Sequence, residues 1–189
     1  MVGVLSIEDL NYTYDDYQNW DGDWELIDGI PIPRHGSVAM APAPIRKHQN
    51  IAGKILTQLN NQIEDCERCE ALMEEDWKIS SDTVLRPDVV FICDEQNESY
   101  LTKTPEIIVE VISKSTAKRD ERYKFDIYEN EKVNYYIIVY PDELIAKIYK
   151  LENGKYDKQG EFFNQKYTFD NSTCSPTLDF EKLFKRFRR

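Results

Sequence analysis

Two carboxylates stand where this chain can least easily tolerate them. Glu110 interrupts Ile107-Ile108-Val109-Glu110-Val111-Ile112, the most apolar run in the sequence. A carboxylate buried in such a strand is costly unless it is paired, protonated or bound to a metal. Asp88 follows Arg86-Pro87 at the head of another apolar run, Val89-Val90-Phe91-Ile92. Carboxylates at adjacent positions of neighbouring strands repel each other and call for a cation between them. Mg2+ suits that role, with Mn2+ as a substitute, because it takes carboxylate oxygens and keeps several waters. The backbone carbonyl of Val111 is a natural third ligand. Downstream, Lys114, Lys118, Arg119, Arg122 and Lys124 gather basic charge, for which a solvated helix surface is the plainer reading. Asp120 and Lys124 share a helix face at i, i+4. Lys124 precedes Ile127 and Tyr128 by three and four positions, which turns its stem inward.

Two upstream residues are weaker candidates. Glu25 alternates onto the face of Ile27, opposite Trp24 and Leu26, and reads either as an edge charge or as a group aimed into a site. His48 falls on the same helical stripe as Ala52, Ile55 and Leu59, where a hydrogen-bonded histidine at the core edge is the bland reading.

The elements that must position these groups follow from periodicity. Ser6 and Asp9 resemble a capping box, opening a short helix through Ile7, Leu10 and Tyr14 to near Trp20. Asp28-Gly29 between two apolar stretches signals a hairpin. After Ala41-Pro42-Ala43-Pro44, residues 48–63 form an amphipathic helix with Ile51, Ile55, Leu56, Leu59 and Ile63 on its stripe. Strands are expected over 72–79, 84–92, 107–112, 135–140 and 144–151, with a helix over 117–130 and a second hairpin turn at Asn153-Gly154. The strand–helix–strand unit implies a parallel crossover, right-handed by the general rule. Leu178 to Phe184 suggests a short capping helix with Asp179 as its N-cap. The fold class is α/β in one domain, with a mixed central β-sheet flanked by helices. An N-terminal helix and hairpin extension covers about 1–44, the core about 45–150, and C-terminal strands with a capping helix about 151–189.

In order and spacing these residues resemble the PD-(D/E)XK nuclease motif, with Pro87-Asp88 followed at a distance by Glu110 in an apolar strand. Over roughly residues 6–184 the chain is similar to the Uma2 family, also known as DUF820, of restriction-endonuclease-like proteins. Trp24-Glu25-Leu26-Ile27-Asp28-Gly29, His48 ahead of its helix, Arg86-Pro87-Asp88-Val89, Val109-Glu110-Val111-Ile112-Ser113 with Ser115-Thr116, then Asp120 and Lys124, carry the resemblance. Val133-Asn134-Tyr135-Tyr136 and the tail also fit. The resemblance implies a restriction-endonuclease-like core and Mg2+-dependent hydrolysis of DNA phosphodiester bonds. Asp88 and Glu110 would hold metal, Lys124 would serve the attacking water, and Glu25, His48, Asp120, Ser113 and Lys114 would support them. Two positions depart from the pattern. Ile112 stands where the superfamily places its lysine two residues after the glutamate, and Lys114 replaces the family's proline. Lys124 is the preferred substitute and Lys114 the second candidate. Ile112 and the acidic surface also suit an alternative, a catalytically inactive nuclease fold kept for binding nucleic acid or protein. A third reading, an acid/base hydrolase built on Glu25, His48 and Asp88, leaves the burial of Glu110 unexplained.

Composition bounds these readings. The 189 residues carry 35 acidic and 24 basic side chains, a formal net charge of -11, with 41% hydrophobic residues. That apolar content supports a real core. Cys66-Glu67-Arg68-Cys69 has metal-knuckle spacing, but no second pair follows at a matching interval, so the four cysteines read as unpaired thiols. No signal peptide or membrane-spanning run is evident, which points to a cytoplasmic protein. A homodimer is expected if both strands of a duplex are cut. The acidic balance argues against coating nucleic acid through bulk charge, although residues 114–124 and 185–189 are locally basic. Metal-free DNA binding is therefore expected to be weak and to vanish quickly as salt rises in a fluorescence-anisotropy titration. Tight, salt-resistant binding without metal would contradict this reading of the charge.

Overall fold

One stretch of chain serves two sheets. Strand β5 (Val84–Leu85) belongs to a small sheet, and β6 (Val89–Cys93) belongs to the large one. The sequence pattern predicts a single strand over 84–92. Arg86-Pro87-Asp88 breaks it, because Pro87 has no N–H to extend a ladder. The strand expected over 72–79 divides in the same way, into β3 (Cys69–Met73) and β4 (Trp77–Lys78), with Glu74 at φ 53° between them.

The computed structural model describes residues 11–34, 46–112 and 119–188. The small sheet has the order β2-β1-β5-β4, where β1 (Trp24–Ile27) and β2 (Ile30–Pro33) are the predicted hairpin. The large sheet has the order β10-β9-β8-β7-β6-β3, with β7 (Ile107–Val111), β8 (Tyr135–Tyr140), β9 (Ile145–Glu152) and β10 (Lys155–Phe162). Within this sheet, among the described residues, only β7 and β8 pair in parallel, in register from Ile107↔Tyr135 to Val111↔Val139. The other neighbours are antiparallel, so this is a mixed sheet. Strands β11 (Lys166–Thr168) and β12 (Thr177–Asp179) form a separate pair.

Helix α1 is short, Tyr14–Tyr17, and is capped where Asp16 accepts from both the amide and the hydroxyl of Thr13. The capping box expected at Ser6 and Asp9 lies outside the described residues. Helix α2 (Arg46–Asn60) lays Ile51, Ile55 and Leu59, all fully buried, against one face of the large sheet. Each such side chain stabilises the fold by about 1.5–3 kcal/mol. Helix α4 (Phe180–Phe184) closes the same face, and Asp179 accepts from the amide of Lys182 at 3.0 Å as its expected N-cap. On the other face, Ile108, Tyr136 and Ile138 pack with Trp77, Leu85 and Tyr128. Apolar burial on both faces explains the continuous hydrophobic runs of β7 and β8. The helix expected over 117–130 takes two forms, a π-helical turn over Arg119–Lys124 and α3 over Phe125–Asn130. No helix among the described residues is long and apolar enough to cross a membrane.

The thiols expected to be unpaired are joined, Cys66 to Cys174 and Cys69 to Cys93. Topology accounts for part of this, because Cys69 and Cys93 face each other across β3 and β6.

A single carboxylate organises the loop that follows β6. Glu95 accepts from the amides of Gln96, Asn97, Thr102 and Lys103 and from the hydroxyl of Thr102. The loop then offers Leu101, which is buried and bridges Trp77. Partial burial alone would raise the pKa of Glu95. Its amide donors outweigh that and hold it at about 2, below the ordinary 4.5. Its stabilising effect is therefore complete above pH 4.5 and fades as pH falls towards 2. Thermal melts of the parent and Glu95→Gln should differ most at neutral pH and converge across that window. A difference that does not change with pH would refute the assignment.

Candidate functional site

The register of the large sheet brings the two carboxylates together. Val89 pairs with Val109 and Val90 with Ile108, so one further antiparallel step sets Asp88 opposite Glu110. At that step β6 has not yet begun, and the amide of Val111 meets no strand carbonyl on that side. Asp88 Oδ2 takes the carbonyl's place, accepting from Val111 N–H at 2.7 Å. His48 Nε2 lies 3.1 Å from the same oxygen, and Arg34 donates from Nη2 to Oδ1 at 3.2 Å. Burial alone would raise the Asp88 pKa. The hydrogen bond and charge of His48, then Arg34 and the Val111 amide, outweigh that and lower it. Burial alone would lower the His48 pKa, but the hydrogen bond and charge of Asp88 raise it, which favours the imidazolium.

Glu110 is served from the opposite side. Lys124 Nζ donates to Glu110 Oε1 at 2.8 Å, and the Tyr128 hydroxyl donates to the same oxygen at 2.8 Å. The π-helical turn delivers Lys124 and α3 delivers Tyr128. Burial, followed by the Glu110 charge, raises the Tyr128 pKa well above its ordinary value and keeps the phenol a donor. Trp77 stacks on the Tyr128 ring at 6.1 Å, so the small sheet braces the tyrosine.

Lys124 also reaches Glu25 Oε1 at 2.7 Å, and that oxygen accepts from the backbone amide of Arg86 at 3.0 Å. Glu25 is 0% exposed and Lys124 1%. The edge-charge reading of Glu25 is thereby overturned. Both Glu25 and Leu26 are buried, because β1 is covered on two sides. Around this centre, Arg86 binds Asp76 at 2.6 Å and the Tyr17 hydroxyl at 3.2 Å, while Arg34 binds Asp23 at 3.1 Å.

The structure therefore brings Asp88, Glu110, Lys124 and Glu25 into one buried cluster with the half-buried His48 at its edge. Ser113 and Lys114 lie outside the described residues, as does the side chain of Asp120. The sequence reading missed Arg34, Tyr128 and the amide of Val111. Spacing could have found Tyr128, which stands one helical turn after Lys124. Nothing local distinguishes Arg34, whose partner is 54 residues away.

The donor set fits a hard divalent cation. Asp88 and Glu110 offer only carboxylate oxygens, and Mg2+ is commonly held by one or two carboxylates with waters and substrate phosphate completing its shell.

Residues 12–178 match the model of the Uma2 family, described as "Putative restriction endonuclease". A solved structure titled as a putative nuclease belonging to DUF820, from Anabaena variabilis, is similar in fold. Its TM-score is 0.71 at 14% identity, over 92% of this chain and 97% of that one. Among curated proteins, none matches the sequence.

Removing the buried ammonium should leave two carboxylates facing each other. Lys124→Met is expected to destabilise the fold by about 3–5 kcal/mol. Tyr128→Phe, which removes one donor to the Glu110 carboxylate, should cost about 1.5–3 kcal/mol. Urea denaturation of both variants checks this order, and equal losses would contradict it.

Proposed function

The chain belongs to the Uma2 family, and on that premise we propose that it is a nuclease hydrolysing DNA phosphodiester bonds with Mg2+. The observation that carries this reading is the meeting of Asp88 and Glu110 at the ends of adjacent strands, with Lys124 bound to Glu110. Asp88 and Glu110 would hold the metal, with the Val111 carbonyl as a third oxygen donor. Held there, Mg2+ would supply Lewis acidity for the scissile phosphate and for an attacking water.

The chain's own groups do the rest. Lys124 carries a fixed positive charge beside Glu110, where it orients water and stabilises negative charge growing on the phosphate. Tyr128 fixes the Glu110 carboxylate, so Lys124 and Glu110 keep one relative orientation. Arg34 and the Val111 amide hold Asp88 ionised and aimed. His48, favoured as its cation by Asp88, supplies a second positive group suited to a phosphate oxygen. Burial excludes bulk water and strengthens each of these interactions.

A second reading has its own support. Arg34, His48 and Lys124 already neutralise Asp88 and Glu110, which suits a nuclease fold retained for binding.

Incubating the protein with supercoiled, linear and single-stranded DNA and Mg2+ or Mn2+ separates the two. Cleavage should occur, and should fall by about 100-fold or more in Asp88→Ala, Glu110→Ala and Lys124→Ala. Cleavage that persists in the first two variants would mean that the activity lies elsewhere. No cleavage on any substrate would favour the binding module.

A further inference from the structure

The four cysteines of this chain come from four separate segments to the end of β3 and β6 far from Asp88, where Cys66, Cys69 and Cys174 cluster and Cys93 joins them through Cys69. Cys66 lies in the turn after α2, Cys69 opens β3, Cys93 closes β6, and Cys174 sits in the turn before β12. Besides the bridges Cys66–Cys174 and Cys69–Cys93, the Sγ atoms of Cys174 and Cys69 lie 3.6 Å apart. The sulfurs of Cys66, Cys69 and Cys174 all lie within 4.8 Å of one another. Two independent disulfides do not require that convergence. Three sulfurs at this spacing, with the Cys93 sulfur adjoining Cys69, suit a tetrahedral zinc site, in which Zn–S bonds of about 2.3 Å set the sulfurs roughly 3.8 Å apart.

The backbone frame is built without the sulfurs. Cys66 and Cys69 have two-residue spacing, and the Cys69 amide donates to the Cys66 carbonyl at 3.1 Å, forming a tight knuckle. Arg68 within that knuckle forks onto Asp94 at 2.9 and 2.6 Å, and the Asp94 amide donates to the Arg68 carbonyl at 2.7 Å. These contacts fix the knuckle beside the end of β6, where Cys93 stands. Cys69 is buried and Cys174 is exposed, so the cluster is closed within and open to ion entry from outside.

We propose that, in the reduced protein, Cys66, Cys69, Cys93 and Cys174 bind one Zn2+ as a structural tetrathiolate. The two bridges are the oxidised, metal-free state of the same four sulfurs. Opening them takes four electrons, supplied by two equivalents of a dithiol that is itself oxidised to its cyclic disulfide. The four thiols then release four protons as their thiolates bind the ion. Four thiolates leave no open coordination position, so the site serves structure and not hydrolysis. It clamps the turn after α2 and the ends of β3 and β6 to the C-terminal segment. The other ends of α2 and β6 carry His48 and lead from Asp88.

The test uses the full chain purified with reductant and without chelator. Elemental analysis should give one zinc per chain, and denaturation with a chelator should release four titratable thiols. Replacing zinc by cobalt should produce the thiolate-to-metal charge-transfer absorption and the visible bands of tetrahedral cobalt, a readout that needs no variant. Cys174→Ser, at an exposed position, should lose stoichiometric zinc while circular dichroism shows a folded chain, and Asp88→Ala should keep it. Four free thiols with no retained metal would overturn the proposal. So would disulfides that survive the reductant, or zinc stoichiometry unchanged in both Cys174→Ser and Cys66→Ser.

Discussion

The site depends on one buried cation. The Lys124 ammonium lies between Glu25 and Glu110, and each of the three groups would be intolerably placed alone. Their mutual pairing ties β1 of the small sheet to β7 of the large one, through a side chain from neither. The π-helical winding of residues 119–124 delivers that side chain at the required point, and α3 then presents Tyr128 to the same oxygen. Irregular windings of this kind occur where a helix must re-aim a side chain, often at functional sites.

Asp88 solves a different problem. It stands where β6 begins, just after a proline, and its carboxylate completes the hydrogen bonding of β7 through the Val111 amide. Ladder repair and ionisation support each other, because an amide donor favours the charged form of its acceptor. Arg34 from the hairpin and His48 from α2 then set its orientation. The residue is thus held by a strand, a hairpin and a helix at once.

Much of this was legible in the sequence. Glu110 betrayed itself by its cost in an apolar run, and Asp88 by Arg86-Pro87 before an equally apolar one. The inward stem of Lys124 followed from helical spacing, and Asp179 announced itself as a cap. Other features were hidden because their signals are not local. The two breaks that move the chain from one sheet to the other, at Glu74 and at residues 86–88, look like continuous strands, since burial on both sides erases alternation. Arg34 and the convergence of the cysteines depend on tertiary neighbours far along the chain, and no spacing rule encodes them.

The site's contacts fall into two groups by distance along the chain. Glu110 meets Lys124 and Tyr128 across 14 and 18 residues, within the unit that runs from β7 through α3 to β8. Asp88 meets His48 and Arg34 across 40 and 54 residues, and Glu25 meets the amide of Arg86 across 61. Short loops close at lower entropic cost than long ones, and topologies rich in distant contacts fold more slowly. Glu110 and Lys124 are thus joined within one local unit, whereas the Glu25 contact of Lys124 and the His48 and Arg34 contacts of Asp88 come from the distant N-terminal part of the chain. The cluster is therefore incomplete until the hairpin and α2 have docked on the unit of β7 and α3, so an error in that docking would leave a folded sheet with an unassembled site.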